Sequence, residues 1–256
     1  MNLKPRRQPR GATRVMLSRE HRAQVDAKRA TTLQLVVADT PVAHRIATAP
    51  PGYLLAIAGS DVDRQCALLQ PLPSGGEVRV VATPGRTPGS WHLDLATRDR
   101  PGLLAAFTGV LADAGVDVVQ AVVATWPDGA ALQALVVRAA SAPDATTLTH
   151  ELVTSLDRPV VAGPVTDARV DFDEHASPLY TACRVEARDH PGLLHEIASA
   201  ISATGTDIHA ASVTTVDGVA QDRFDLTDRD GRKLDAAREQ DIRAALGSGV
   251  GDLLAR

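Results

Sequence analysis

An aspartate followed after one residue by Pro-Gly-Leu-Leu occurs twice, as Asp99-Arg100-Pro101-Gly102-Leu103-Leu104 and Asp189-His190-Pro191-Gly192-Leu193-Leu194. If each stretch lies where a strand hands over to a helix, the helix start presents unpaired N–H groups and a partial positive charge, which is a seat for a carboxylate. Gly102 and Gly192 carry no side chain, so a ligand can come close to that backbone. Asp99 and Asp189, beside it, can accept hydrogen bonds from an ammonium group. A carboxylate and an ammonium on one small molecule describe an α-amino acid. An aspartate at this place is also a natural helix cap, and the two roles are compatible.

The other reactive residue types form no comparable pattern. Cys66 and Cys183 stand far apart with no metal-ligand spacing around them, which excludes a disulfide scaffold and fits a reducing compartment. The eight histidines include no adjacent His-Asp pair, and His190 and His195 read as surface residues. Ser60, Ser90 and Ser141 lack a nucleophile-elbow context, and no phosphate-binding glycine loop occurs. No catalytic residue, metal ligand or cofactor is therefore expected.

Positioning the two loops is the task of an internal repeat. A shift of 90 residues superimposes 98–125 on 188–215 with 11 of 28 positions identical, among them Gly115 on Gly205, Asp117 on Asp207 and Thr125 on Thr215. Ser90–Thr97 alternates apolar and polar, the period of a half-buried strand. Pro101 suits a first helical turn, and Leu103, Leu104, Phe107, Val110, Leu111 and Ala114 form one helical stripe. Gly115 falls where a left-handed cap ends that helix. Strands follow at 116–125 and 131–137 around Pro127-Asp128-Gly129, then a helix at 144–156. The second copy predicts strand 180–187, helix 192–204, strands 207–215 and 219–227, and helix 235–246. A short leading strand precedes each copy, at 78–82 and 169–172, and is expected to close the sheet. The predicted class is α+β: two ferredoxin-like units, each a four-stranded antiparallel sheet with two helices on one face.

The units are placed at 77–160 and 168–250. Residues 49–76 read as a linker segment with one short helix over 61–69. Residues 1–48 read as an extended or disordered arm, because they show little periodicity beyond 33–37. Residues 1–30 hold nine basic and two acidic side chains, whereas the whole chain of 256 residues has a net charge of −4. With three Phe, two Tyr and two Trp for base stacking, this arm reads as a solvated tail rather than a nucleic-acid contact. No run approaches the ~20 apolar residues that span a bilayer, and the basic start lacks a secretory apolar core. A cytoplasmic protein is expected.

Asp99–Leu104, and still more Arg188–Leu194, resembles the signature of ACT domains, small amino-acid-sensing regulatory modules. Ile208-His209-Ala210-Ala211, Thr215 and Asp222-x-Phe224-x-x-Thr227-Asp228-x-x-Gly231 are similar to the last ACT domain of the bifunctional uridylyltransferases/uridylyl-removing enzymes that modify the PII protein. The resemblance covers about residues 75–250. It implies ligand contacts at Asp99, Gly102, Leu103, Asp189, Pro191, Gly192, Leu193 and Asp222, glutamine as ligand, and ACT sheets that support a homodimer or a protein partner. The first unit departs from it, with Gln133-Ala134-Leu135 where the second has Asp222-Arg223-Phe224. The magnesium-binding and His-Asp motifs of those enzymes' catalytic domains are not found. Gly59-Ser60-Asp61-Val62-Asp63 fuses two parts of the former and reads as a helix cap and helix start. The expected function is a non-enzymatic amino-acid sensor in nitrogen or amino-acid metabolism. A truncated or remnant uridylyltransferase and a non-binding dimerisation module are the alternatives.

Overall fold

A computed structural model describes residues 19–158, 165, 168–177 and 179–247. Its elements run α1 (Arg19–Leu33), α2 (Pro41–Ala47), α3 (Pro51–Ala56), α4 (Gly59–Leu68), β1 (Arg79–Pro84), β2 (Ser90–Arg98), α5 (Leu103–Asp113), β3 (Asp117–Thr125), β4 (Ala130–Arg138) and α6 (Ala145–Ser155). The second copy follows with β5 (Arg169–Asp173), β6 (Thr181–Arg188), α7 (Leu193–Ala203), β7 (Thr206–Val216), β8 (Val219–Asp228) and α8 (Ala236–Ala245).

All eight strands join one sheet in the order β1-β2-β4-β3-β7-β8-β6-β5, with every neighbouring pair antiparallel. Each leading strand pairs with the next, β1 on β2 and β5 on β6, and so forms an outer edge. The units meet along β3 and β7, where Gln120 faces Thr214, Val122 faces Ser212 and Ala124 faces Ala210. Because the repeat offset makes Ser212 the counterpart of Val122, that central pair lies on a pseudo-twofold axis. Two ferredoxin-like units thus stand side by side and share one continuous core on the helix face of the sheet.

Local chemistry explains where the repeat elements stop. At the end of α5 the Val116 amide donates to the Leu111 carbonyl at 2.8 Å and the Gly115 amide to the Ala112 carbonyl at 3.0 Å. This is a Schellman ending, and Gly115 supplies the positive φ of 68° it requires. β7 and β3 carry an irregularity at equivalent places, Ile208/Ala210 and Val118/Gln120. The helices cross at a close point beside the axis: a Cβ on Gly109 of α5 would stand 2.8 Å from Cε1 of His195 on α7. His195 Nδ1 donates to the Ala105 carbonyl at 2.9 Å, so this ring is part-buried in the seam and not a surface residue. Alanine at 109 is expected to be stabilising by about 1 kcal/mol through helix propensity in a His195→Ala background. In the native background it should lose that gain by displacing the ring, a coupling that a double-mutant cycle of unfolding free energies reads directly.

The N-terminal part differs from the sequence expectation. Over 19–48 the chain forms α1 and α2 rather than an extended arm, while 1–18 lies outside the described residues. Residues 49–76 hold α3 and α4, and both helices pack with the first two. Together they bury Val25, Ile46, Tyr53, Leu54, Val62, Cys66 and Leu69 against Ala96, Ala124, Trp126, Leu132 and Ala134, on the sheet face opposite α5 and α6. The first unit is therefore three layers deep. α1 is mostly polar and α2, α3 and α4 are short, so their apolar residues become a core only when pooled and no single stretch shows a strong period. The strands themselves record the extra layer. β4 is apolar along both faces, as a strand covered on both sides must be, whereas β6 alternates buried and exposed because its outer face meets solvent. Ser60 and Asp61 lie inside the first turn of α4, whose N-cap is Ala58, so they do not cap it. Both cysteines are buried and unpaired, and burial pushes each thiol up to about 12, which keeps it unreactive.

Candidate functional site

Each Asp-x-Pro-Gly-Leu-Leu stretch forms a strand-to-helix corner. The Asp99 amide donates to the Gly129 carbonyl at 2.8 Å and the Asp189 amide to the Gly218 carbonyl at 2.9 Å, tying each corner to its own unit's hairpin turn. The N-caps of α5 and α7 are Gly102 and Gly192, with φ of 76° and 86°, and neither helix start is capped by a side chain. Asp99 and Asp189 are therefore not caps, and Pro101 and Pro191 belong to the preceding turn. At α7 the Leu193 amide reaches the His190 carbonyl, and the Glu196 amide closes the first turn on Gly192. The amides of Leu194 and His195 between them have no backbone acceptor among the described residues.

The pairing of β3 with β7 carries each corner onto the other unit. Asp189, Gly192, Leu193 and Asp222 of the second unit line one cavity with Thr108, Asp117 and Val118 of the first. Pro191 does not line it. The cavity is about 20 Å³, room for a single water molecule. In the related corner, Asp99 stands near Asp207 and His209 of the second unit. Burial first, and the Asp207 carboxylate second, hold the Asp99 carboxyl above its usual range, against the influence of His209. Gly102 starts the helix there, and Leu103 is buried in the shared core. His209 Nε2 lies 2.8 Å from Thr227 Oγ1, and its ring packs on Tyr180 at 5.1 Å between centroids.

Asp222 is the most perturbed group of the site. It sits on β8 among Ala220, Phe224 and Leu226 on the helix face, only 3% exposed, and Oδ1 has no partner. Burial pushes its carboxyl up to about 7; a backbone hydrogen bond at Thr214 opposes this and nearby Asp189 adds to it. Sequence reasoning did not place in the site the residues that come across the axis, Asp117, Val118 and Thr108 at one corner and Asp207 and His209 at the other. The sequence signals for them were the identity of Asp117 and Asp207 in the repeat and the place of His209 in the resemblance. Among the described residues no cluster of His, Cys, Asp and Glu could hold a metal ion, and no helix is long and apolar enough to cross a membrane.

The candidate site is thus a pair of ferredoxin-like units, each with an aspartate beside an uncapped helix start. Residues 181–247 match the family model of the ACT domain. The chain is also similar to the bifunctional uridylyltransferase/uridylyl-removing enzyme of Bradyrhizobium sp. strain ORS 278, at 31% identity over 180 residues, covering 62% of this chain and 19% of the relative. The enzyme of the same description from Bradyrhizobium sp. strain BTAi1 gives the same figures. The chain thus spans about a fifth of the length of these curated relatives. Among solved structures, aspartate kinase from Synechocystis aligns at 15% identity with a TM-score of 0.36, covering 62% of this chain and 26% of that one.

Proposed function

We propose that the protein is a non-enzymatic, cytoplasmic amino-acid sensor that binds a free α-amino acid between its two units. The observation that carries this is Asp222, a buried carboxylate with an unpartnered oxygen at the floor of the cavity where Asp189 and the open start of α7 converge. The ligand carboxylate is held by the amides of Leu194 and His195, its ammonium by Asp189, and a hydrogen-bond donor at its far end by Asp222. Similarity to the uridylyltransferases supports glutamine, whose carboxamide offers such a donor.

The small cavity gives the sensor its mechanism. An amino acid enters only if the 189–192 corner moves away from α5 and β3, so ligand and closed seam compete. A ligand that binds the open arrangement alone shifts the population toward it, and that differential affinity is the signal. His195, which both lines the cavity and bonds Ala105 across the seam, is the residue through which opening is felt.

Thermal unfolding with each of the twenty amino acids at millimolar concentration tests this. Glutamine at 100 times its dissociation constant should stabilise by about 2.7 kcal/mol. Asp189→Ala should remove the part of that shift that comes from the α7 corner while leaving the unliganded midpoint within a few degrees, because Asp189 caps nothing. Silence across all twenty would leave the pair of units a structural dimerisation device.

A further inference from the structure

We propose that Gln133 is the specificity residue of a second, chemically distinct binding site in the first unit, and that it recognises a primary carboxamide. This rests on the amino-acid-binding reading above and goes beyond it by giving the first unit its own ligand chemistry. Gln133 lies on β4 in the row Ala131, Gln133, Leu135, Val137, which faces α5 and α6. It is 1% exposed, and both Oε1 and Nε2 lack any hydrogen-bond partner. A buried amide left so is destabilising by about 1–3 kcal/mol, and a leucine of similar size would fill the row without that loss.

The position is equivalent to that of Asp222. Each residue lies four places after the turn glycine of its hairpin, Gly129 or Gly218, and each faces an aliphatic residue of the neighbouring strand, Leu95 or Val185. Asp222 is the floor of the second unit's cavity, so the pseudo-twofold axis puts Gln133 beneath the Asp99–Gly102 corner. The two floors differ in what they ask of a ligand. A carboxylate accepts only, whereas a glutamine amide presents one acceptor and two donors. An ammonium satisfies only Oε1 and a carboxylate only Nε2. A primary carboxamide satisfies both through paired N–H···O bonds, while Asp99, with Asp207 close by, takes the ammonium of the same molecule.

The test is isothermal titration of the full chain with L-glutamine and L-asparagine, comparing wild type, Gln133→Leu, Gln133→Glu and Asp189→Ala. The expected result is two equivalents for wild type and one for Gln133→Leu, whose unliganded unfolding midpoint should match or exceed that of wild type. Gln133→Glu should weaken the first-unit site about 10- to 100-fold toward the carboxamide. That loss separates recognition from packing, because the change is nearly isosteric. Two equivalents of unchanged affinity in both Gln133 variants overturn the inference. One wild-type equivalent that disappears in Asp189→Ala and persists in Gln133→Leu also overturns it, leaving the sensor reading intact. Absence of saturable binding to wild type overturns both.

Discussion

Asp222→Asn is expected to stabilise the unliganded protein at pH 8 by up to about 4 kcal/mol, because burial lifts the carboxyl from an ordinary aspartate near 4 to about 7 and each tenfold change in proton affinity is worth about 1.4 kcal/mol. The sign follows from which form the fold prefers. Burial favours the neutral carboxyl, so the contribution of Asp222 to stability is fully present below pH 4. It is lost as the pH climbs through about 7, where the folded-state group ionises. Wild type should therefore lose stability between pH 4 and pH 7 relative to the variant, and the two should converge at pH 4. Urea denaturation at pH 4, 6 and 8 measures the difference; parallel curves at all three would remove Asp222 as a strained group. Ligand links to the same proton. A donor placed on Asp222 by a bound amino acid favours the carboxylate, so binding should release a proton below pH 7 and strengthen as the pH rises. Asp222→Asn should abolish that dependence together with most of the affinity, a trade of stability against function that is common at binding sites.

The second large effect lies on the other face of the sheet. Trp126→Ala is expected to cost about 3–5 kcal/mol and to release the N-terminal helices. Trp126 is 1% exposed, packs edge-on to Tyr53 at 5.1 Å and donates from Nε1 to the Arg45 carbonyl at 3.0 Å. Arg45 in turn makes 2.8 Å contacts with both Asp128 carboxylate oxygens. Tyr53 continues the network by donating to Gln65, which donates to Asp94; Arg64 also pairs with Asp94. Truncating the indole leaves a cavity and an orphaned carbonyl at the centre of this network. The pseudo-symmetric control is Val216→Ala. Val216 occupies the same place in the repeat, yet no helix among the described residues covers it and it is 51% exposed, so its loss should stay within about 0.5 kcal/mol. Limited proteolysis over 34–76 should accelerate in Trp126→Ala alone. Because the Asp128-Gly129 turn also holds the Asp99 corner, the same variant should weaken ligand binding in the first unit more than in the second.

This coupling shows where sequence reasoning was sufficient and where it stopped. The hairpin turns, the glycines at positive φ and the strand and helix order of both units are legible in the chain, because each depends on a few neighbouring residues and on a period of two or 3.6. The repeat identified both corners for the same reason. The N-terminal helices were not legible, since Tyr53, Ile46 and Val25 become one core only after four separate helices meet a sheet face. That face is itself built from three strands, β2, β3 and β4.

By itself, then, the sequence determined two βαββα-type units, their leading strands, and the Asp-x-Pro-Gly-Leu-Leu corners with aspartate beside an open helix start. Tertiary structure alone decided that β3 pairs with β7, and with that pairing everything that makes the corners candidate sites. Asp117 and Val118 reach the second unit's corner, Asp207 and His209 reach the first, Asp222 lines the second unit's cavity, and both Gln133 and Asp222 are sealed from water. The physical reason is range. Dihedral preferences, caps and periodicity act over a few residues and are written locally. Burial and the partnering of polar atoms depend on which distant surface arrives, here across a 90-residue offset, and no local pattern records that.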